Sequence, residues 1–264
     1  MTCEFSRTDV KQAADLISSS TKAVALTGAG ISTPSGIPDF RSSGSGLWEK
    51  YNPFEVASIT AFRYDPEKFF NWSRPLLNTI LEAEPNDAHI ALAQLEQAGY
   101  LAGIVTQNID NLHHKAGSEN VLEVHGHLRE ATCISCFHKV HTEGILQNYV
   151  SSTEIPTCEN CGSILKPDII LFGEQLPMDV VLKAKNLMNT SDLIMVIGSS
   201  LEVTPVAVFP VAPLNAGGKL IIINQEPTYL DGRAEIIFSC NAADVLPEIA
   251  FEVLHGRNRR NTTS

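Results

Sequence analysis

The stretch Ala23-Val24-Ala25-Leu26-Thr27-Gly28-Ala29-Gly30-Ile31-Ser32 joins a short apolar run to a glycine-rich turn. A run of this length bounded by small residues predicts a buried strand. Glycines directly after it let backbone N–H groups approach a pyrophosphate closely. A tight strand-to-loop turn explains the same residues, because Thr33 stands where a dinucleotide fingerprint has its third glycine. Pro34, Gly36 and Pro38 also interrupt the helix expected next. Comparable runs recur at 103–105, 121–124, 169–172, 193–197, 220–223 and 236–238. Between several of them lie helical patterns, clearest over 86–98, where Ala88, Ala91, Leu92, Leu95 and Ala98 share a face and Gly99 supplies a stop. Segments 9–18, 179–188 and 243–254 read as further helices. Strand and helix in alternation predict an α/β fold, with parallel strands and crossover helices on both faces of the sheet.

In open parallel sheets ligands bind beyond the carboxyl ends of the strands, so the residues following each run carry the chemistry. They are Thr106-Gln107-Asn108-Ile109-Asp110, His125-Gly126, Phe172-Gly173-Glu174, Gly198-Ser199-Ser200 and Asn224-Gln225-Glu226, besides the turn at 28–32. Small and hydrogen-bonding residues at six strand ends predict a ligand site. Gly198-Ser199-Ser200 adds a second set of backbone and hydroxyl donors, and two phosphate cradles on one sheet favour a dinucleotide. Asp39 and Arg41, in a Pro-Asp-Phe-Arg turn, fit either a local salt bridge or contact with phosphate and sugar oxygens. His125 follows a strand and is freed by Gly126. With a reference pKa of about 6.5 its imidazole is largely neutral and able to take a proton from a hydroxyl. A satisfied structural histidine is the competing reading, and His113 and His114 have no local feature that promotes either.

The chain has 264 residues, 44% of them hydrophobic, and 19 Lys plus Arg against 30 Asp plus Glu, for a net charge of −11. Such a surface repels phosphate backbones, so sequence-specific nucleic-acid binding is not expected. Residues 1–12 lack the apolar core of a secretory signal. The apolar runs are too short to span a bilayer, so a cytoplasmic protein with no membrane partner is expected. The cationic tail, Arg257, Arg259 and Arg260, reads as a frayed terminus. Segment 38–75 mixes Gly44, Gly46, Pro53 and Pro66 with Trp48, Tyr51, Phe54, Phe62, Phe69, Phe70 and Trp72, and reads as an ordered, covering loop with short helices.

Segment 128–167 reads as an insert between two strands of the main sheet. It carries Cys133-x2-Cys136 and Cys158-x2-Cys161, with 21 residues between the pairs. Each knuckle presents two thiolates on one side of a turn, and together they complete a tetrahedron around Zn²⁺ with no open position for water, which makes the metal structural. Two disulfides or a redox pair are the alternatives.

The order and spacing of Gly28-Ala29-Gly30-Ile31-Ser32, Gly36-Ile37-Pro38-Asp39-Phe40-Arg41, Thr106-Gln107-Asn108-Ile109-Asp110-Asn111-Leu112-His113, His125-Gly126 and the two cysteine pairs resemble those of a sirtuin. The resemblance continues through Phe172-Gly173-Glu174, Gly198-Ser199-Ser200-Leu201 and Asn224-Gln225-Glu226-Pro227-Thr228, and so covers about residues 10–255. It implies an NAD-dependent protein lysine deacylase with a Rossmann-like domain, residues 1–127 and 168–264, and a small zinc-binding domain, 128–167. Acylated-lysine protein or peptide substrates would lie in the cleft between them.

By matching motifs, Gly28, Ala29, Gly30 and Ile31 with Gly198, Ser199 and Ser200 would hold pyrophosphate and ribose. Asp39, Phe40 and Arg41 would cover the cofactor. Gln107, Asn108, Ile109 and Asp110 would line the ribose and nicotinamide pocket. Asn224, Gln225 and Glu226 would lie near adenosine, and Ala242 would close on adenine. His125 would be the general base, with Asn108 and Asp110 orienting nicotinamide. Phe172, Gly173 and Glu174 would form one edge of a peptide clamp, and Leu201, Glu202 and Val203 the other. NAD would be consumed as a cosubstrate, the acyl group passing to ADP-ribose. Relatives that prefer acidic acyl chains carry a Tyr and an Arg three residues apart. Here Phe70 and Ser73 match, implying uncharged acyl groups, although Arg74 is one position away. His127 departs from the small polar residue of many relatives. Mono-ADP-ribosyl transfer and a non-enzymatic NAD sensor are the competing functions.

Overall fold

The computed structural model describes residues 5–40 and 46–260. Its strands are β1 (Ala23–Thr27), β2 (Gly103–Thr106), β3 (Val121–Glu123), β4 (Gly126–Cys133), β5 (Lys139–His141), β6 (Leu165–Ile169), β7 (Leu193–Ile197), β8 (Lys219–Ile223) and β9 (Ile236–Phe238). The α-helices are α1 (Arg7–Ser19), α2 (Leu47–Lys50), α3 (Pro53–Val56), α4 (Ile59–Tyr64), α5 (Pro66–Glu82), α6 (Asp87–Gln97), α7 (Leu112–Lys115), α8 (Ile145–Ser152), α9 (Met178–Asn189), α10 (Val211–Asn215) and α11 (Ala242–Arg260).

Six strands form a parallel sheet in the order β3-β2-β1-β7-β8-β9. Every residue of β1 and β7 is buried, which requires helices on both faces. The alternation of side chains divides them: Ala23 and Ala25 pack with Leu193, Met195 and Ile197 against Ile17 of α1, Leu92 of α6 and Ile249 of α11. Val24 and Leu26 face the other way, with Ile194 and Val196, toward Val181 and Met188 of α9. Alanines at 13, 14, 88, 91 and 250 let α1, α6 and α11 approach closely. Asn86 caps α6 through the Ala88 N–H and donates to the Ile31 carbonyl at 2.8 Å, which ties this helix to the glycine turn.

The run 169–172 does not enter this sheet. The chain instead pairs over β6 in a separate antiparallel sheet, β5-β4-β6, which spans Gly126 to Ile169. Pro167 sits within β6 without loss because β6 is an edge strand. Residue Phe172 makes only a single bridge, to Ser58.

Segment 38–75 is more helical than its composition suggests. Pro66 opens the 17-residue α5 behind the Asp65 cap, and Pro75 lies inside it. The aromatic residues pack sideways, Phe62, Phe69 and Phe70 burying against Leu146 and Tyr149 of α8. This cluster joins the helical segment to the antiparallel sheet through Leu128.

At the amino ends of β1 and β7, Asp192 accepts from the Thr21 N–H (2.8 Å), Thr21 Oγ1 (2.6 Å), the Lys22 N–H (3.0 Å) and the Ser20 hydroxyl. Burial pushes its carboxyl up, but these hydrogen bonds prevail and hold it well below the usual carboxylate range. The stabilisation is therefore present above the unfolded value of about 3.9 and is lost as pH falls toward the lower folded value. Asp192→Ala should cost about 1–3 kcal/mol in urea melts at pH 7. The gap from wild type should hold down to about pH 5 and shrink below about pH 4. A gap independent of pH over that range would refute the assignment.

Candidate active site

The order of the parallel sheet reverses between β1 and β7, and the turns that leave these two strands meet there. The Gly30 N–H donates to the Gly198 carbonyl at 2.9 Å. Gly198 has φ +59°, and a Cβ on it would lie 2.2 Å from the Ile31 nitrogen; one on Gly28 would lie 2.7 Å from the Gly198 oxygen. The glycines are thus required first by the contact of turn with turn. The N–H groups of Ala29, Ser199 and Ser200 donate to no protein acceptor among the described residues.

Behind the turns lies a buried polar cluster. Asn108 Nδ2 donates to the Gly28 carbonyl and to Ser32 Oγ, both at 3.1 Å. Ser32 Oγ donates to Asp110 Oδ2 at 2.7 Å, and Asp110 Oδ1 accepts from the Leu112 N–H at 2.9 Å. Burial raises the Asp110 pKa, against hydrogen bonds from Leu112 and Ser32 that lower it, and the charge of Glu123 raises it further. Thr27 Oγ1 donates to Thr106 Oγ1 at 2.8 Å and contacts His113 Nε2 at 2.9 Å. Burial lowers His89 to about 4 and His113 well below its usual value, so both rings are neutral at physiological pH.

His125 stands between β3 and β4, where one sheet gives way to the other. Its Nδ1 lies 3.1 Å from the Gln107 carbonyl. A carbonyl only accepts, so Nδ1 carries the hydrogen and Nε2 keeps its lone pair. Gln107 Nε2 in turn donates to Ser199 Oγ at 2.9 Å, which links the loop after β2 to the loop after β7. The His125 carbonyl accepts from the Ile170 N–H at 2.9 Å. Gly126, at φ +77°, is required here because a Cβ would lie 2.1 Å from the Asp168 carbonyl oxygen. His127 is half-buried, its Nδ1 without a hydrogen-bond partner among the described residues.

Phe172 exchanges backbone bonds with the helical segment, donating to Ala57 at 2.9 Å and accepting from Ile59 at 3.0 Å. Its ring meets Trp48 edge-on at 5.9 Å, and Trp48 stacks on Phe40 at 5.1 Å and on Trp72 at 5.6 Å. Glu174 turns inward, accepting from the Leu171 N–H at 2.7 Å and pairing with Lys166 Nζ at 3.0 Å. Its carboxylate is therefore engaged in shaping the loop. Leu201 is buried at φ +56°, its N–H 3.3 Å from Ser199 Oγ, and the more open Glu202 and Val203 follow.

Ile109 packs beside Leu112. Asn224 follows β8 and spends its Nδ2 on the Glu226 carbonyl at 2.6 Å, with Gln225 and Glu226 exposed. Ala242 is buried as the first residue of α11. Asp39 and Phe40 anchor α2 through their carbonyls, which accept from Leu47 and Trp48. Arg41 lies outside the described residues.

The motifs included Ser32 only as the end of the glycine turn, and did not single out Trp48, Lys166, Glu123 or Arg129. Ser32 follows the glycine turn and Trp48 stands in the aromatic segment, so each had a signal. Lys166 and Arg129 act through partners that only the folded chain brings near.

Cys133, Cys136, Cys158 and Cys161 place their sulfurs within 4.8 Å of one another. The contacts Cys133–Cys161 (3.5 Å) and Cys136–Cys158 (3.6 Å) are far too long for S–S bonds. They approach the ~3.8 Å that four Zn–S bonds of about 2.3 Å impose on a tetrahedron. After each second cysteine the chain turns left-handed, at Phe137 (φ 60°) and Gly162 (φ 72°), so the two knuckles share one geometry. The donor set fits zinc, which would cross-link β4 to the loop before β6.

Residues 28–205 match a family described as "Sir2 family". The chain is 47% identical over 242 residues to an "NAD-dependent protein deacetylase 2" of Caldanaerobacter subterraneus subsp. tengcongensis, covering 90% of this chain and 94% of that protein. It is 42% identical to an "NAD-dependent protein deacylase 2" of Archaeoglobus fulgidus, covering 96% and 99%. Among solved structures, one from "Structural Basis for the Mechanism and Regulation of Sir2 Enzymes" superposes with TM-score 0.88 at 41% identity, covering 96% and 100%. Another, "Sir2-p53 peptide-NAD+", gives 0.83 at 38%, covering 95% and 99%.

Metal analysis of the purified chain should find about one zinc per molecule, and Cys158→Ser should abolish it. Chelation should expose the amides of β4 and β6 to hydrogen exchange. Unchanged exchange in metal-free protein would exclude a structural metal.

Proposed function

The chain belongs to the Sir2 family, and we propose that it is an NAD-dependent protein lysine deacylase that prefers uncharged acyl groups. The observation that carries this reading is the His125–Gln107 hydrogen bond, which keeps the Nε2 lone pair basic beside the loop bearing Asn108 and Asp110. The peptide and NAD+ named for a similar structure support it. The turns at 28–32 and 198–200 hold pyrophosphate and ribose. Asn224, Gln225 and Glu226 lie toward adenosine, and Ala242 closes on adenine. Asp39, Phe40 and Arg41 cover the bound dinucleotide. An acyl-lysine lies extended between the edges at 172–174 and 201–203, the first of which presents backbone because the Glu174 carboxylate is engaged with Lys166.

The lysine amide is secondary and inert toward water, which is why NAD is consumed. Its carbonyl oxygen bonds to the ribose carbon that carries nicotinamide, and the C–N bond breaks with its electron pair leaving on the ring. Gln107, Ile109, Asn108 and Asp110 hold the departing base in position. His125 Nε2 takes the proton of a ribose hydroxyl, whose oxygen attacks the imidate carbon. The proton passes to the lysine nitrogen, the bond from that nitrogen to the acyl carbon breaks to release the amine, and one water then adds at the acyl carbon, leaving the acyl group on ADP-ribose as an ester. Phe40, Trp48 and Phe172 shield the activated sugar from water.

Phe70 and Ser73 are buried, and Arg74 Nε donates to the Val150 carbonyl at 3.1 Å. This supports an acyl end without a cation to receive a carboxylate. We place the NAD-binding part at 1–127 and 168–264 and the zinc-bearing part at 128–167. A four-cysteine metal site suits a reducing, cytoplasmic setting.

Acetyl- or propionyl-lysine peptide incubated with NAD should yield nicotinamide and free lysine in equal amounts, and a succinylated peptide should react at least about tenfold more slowly, ~1.4 kcal/mol. His125→Ala should lose turnover and retain NAD binding. Labelled protein in place of free lysine would identify an ADP-ribosyltransferase and end this reading.

A further inference from the structure

We propose that Arg129 is a positioning residue through which the antiparallel, cysteine-bearing sheet sets the 108–111 loop and the backbone entering His125. The inference rests on the deacylase reading and adds to it a link between the two sheets. Arg129 belongs to β4, and its carbonyl accepts from Thr142 within the smaller unit. Its side chain crosses to the parallel sheet. Nη1 donates to Asn111 Oδ1 and to Glu123 Oε1, each at 2.7 Å, and Nη2 pairs with Glu123 Oε2.

Both partners adjoin the chemistry. Glu123 is the last residue of β3, two positions before His125, and Val124 is bonded to the Thr106 carbonyl. Asn111 directly follows Asp110. It holds φ 65° at the head of α7, where the next N–H, that of Leu112, is bonded to Asp110 Oδ1. One guanidinium thus fixes the end of the strand that delivers the imidazole and the turn that orients Asp110.

The residue types suit this task. A planar fork matches the two Glu123 oxygens and has a further N–H for Asn111, whereas an ammonium would engage them as a point charge. The Glu123 side chain is only 9% exposed, so its charge depends on this partner; the imidazole of His114 stands farther off, its Nε2 3.9 Å away. An ion pair serving stability alone would not need the third contact, to a residue in left-handed conformation beside Asp110.

The test uses the zinc-loaded full chain. Asn111→Gly keeps the positive φ and removes only the side-chain oxygen. Arg129→Lys keeps the charge without the fork. Each should lower kcat about tenfold or more while the KM for peptide changes less than about threefold. The Leu112 amide should exchange about tenfold faster. Arg129→Met leaves Glu123 buried without its partner and should also lower the melting temperature. Adding Glu123→Gln to it should restore the melting temperature but not kcat. Recovery of both together would make the pair purely structural and overturn the proposal. Wild-type kcat in Asn111→Gly and Arg129→Lys, or an unchanged Leu112 exchange rate, would also overturn it. An inactive wild-type chain would instead refute the deacylase reading, and the exchange measurement would still decide the role of Arg129.

Discussion

The contact of two backbone turns, one after β1 and one after β7, sets the distance on which everything else in the crevice depends. Gly30 donates to Gly198, and the Cβ positions at Gly28, Gly30 and Gly198 are all filled by the opposing turn. No side chain larger than hydrogen fits there without parting the strands at the point where the sheet reverses. The closeness has a second effect. The turns satisfy part of their backbone on each other, and the N–H groups of Ala29, Ser199 and Ser200 are left without a protein acceptor among the described residues. In the proposed function a dinucleotide's two phosphates would meet donors from both strands because the strands are neighbours.

Buried polar groups near this contact are costly unless partnered, and here most of them partner one another, His113 Nδ1 being an exception. Asn108 binds the Gly28 carbonyl, Ser32 joins Asn108 to Asp110, and Thr27 joins Thr106 to His113. The donors and acceptors are therefore oriented before any ligand arrives, so binding need not reorganise them. Asp110 shows the cost of this arrangement. Its carboxyl is pushed upward by burial and by Glu123, and the Ser32 and Leu112 bonds only partly offset that.

The sequence made the parallel sheet legible because β1, β7 and β8 are unbroken apolar runs with glycines at their ends, and such runs have few other homes. The cysteine cluster was legible for a different reason: two short spacings suffice to describe it. Position 169–172 misled because Ile169, Ile170 and Leu171 have the composition of a core strand, while Lys166 and Asp168, which belong to the real strand β6, look like loop. Periodicity does not distinguish a strand buried on two faces from an apolar loop gripped by neighbours. Pro66 and Pro75 concealed α5, since a proline is tolerated at a helix start and its cost inside is offset by the packing of Phe69, Phe70, Leu77 and Ile80. Asp39 and Phe40 were marked for the cofactor, yet nothing in their spacing reveals that Phe40, Trp48 and Trp72 stack in series.

The least legible feature is the seam between the sheets, because it consists of pairs remote in sequence. His125 stands on that seam, its side chain bonded to the loop after β2 and its carbonyl to Ile170 beyond β6. A side chain placed within either sheet would have its orientation set by one sheet alone. At the junction, the imidazole follows the β2 loop while its backbone follows the antiparallel sheet. Gly126 makes the junction possible by packing directly on the Asp168 carbonyl, and the glutamates at 123 and 174, each paired to a cation from β4 or β6, hold the two sides of it. If Arg129 positions the site as proposed, the cysteine cluster at the far end of β4 would bear on catalysis through rigidity, by fixing the strand from which Arg129 reaches across.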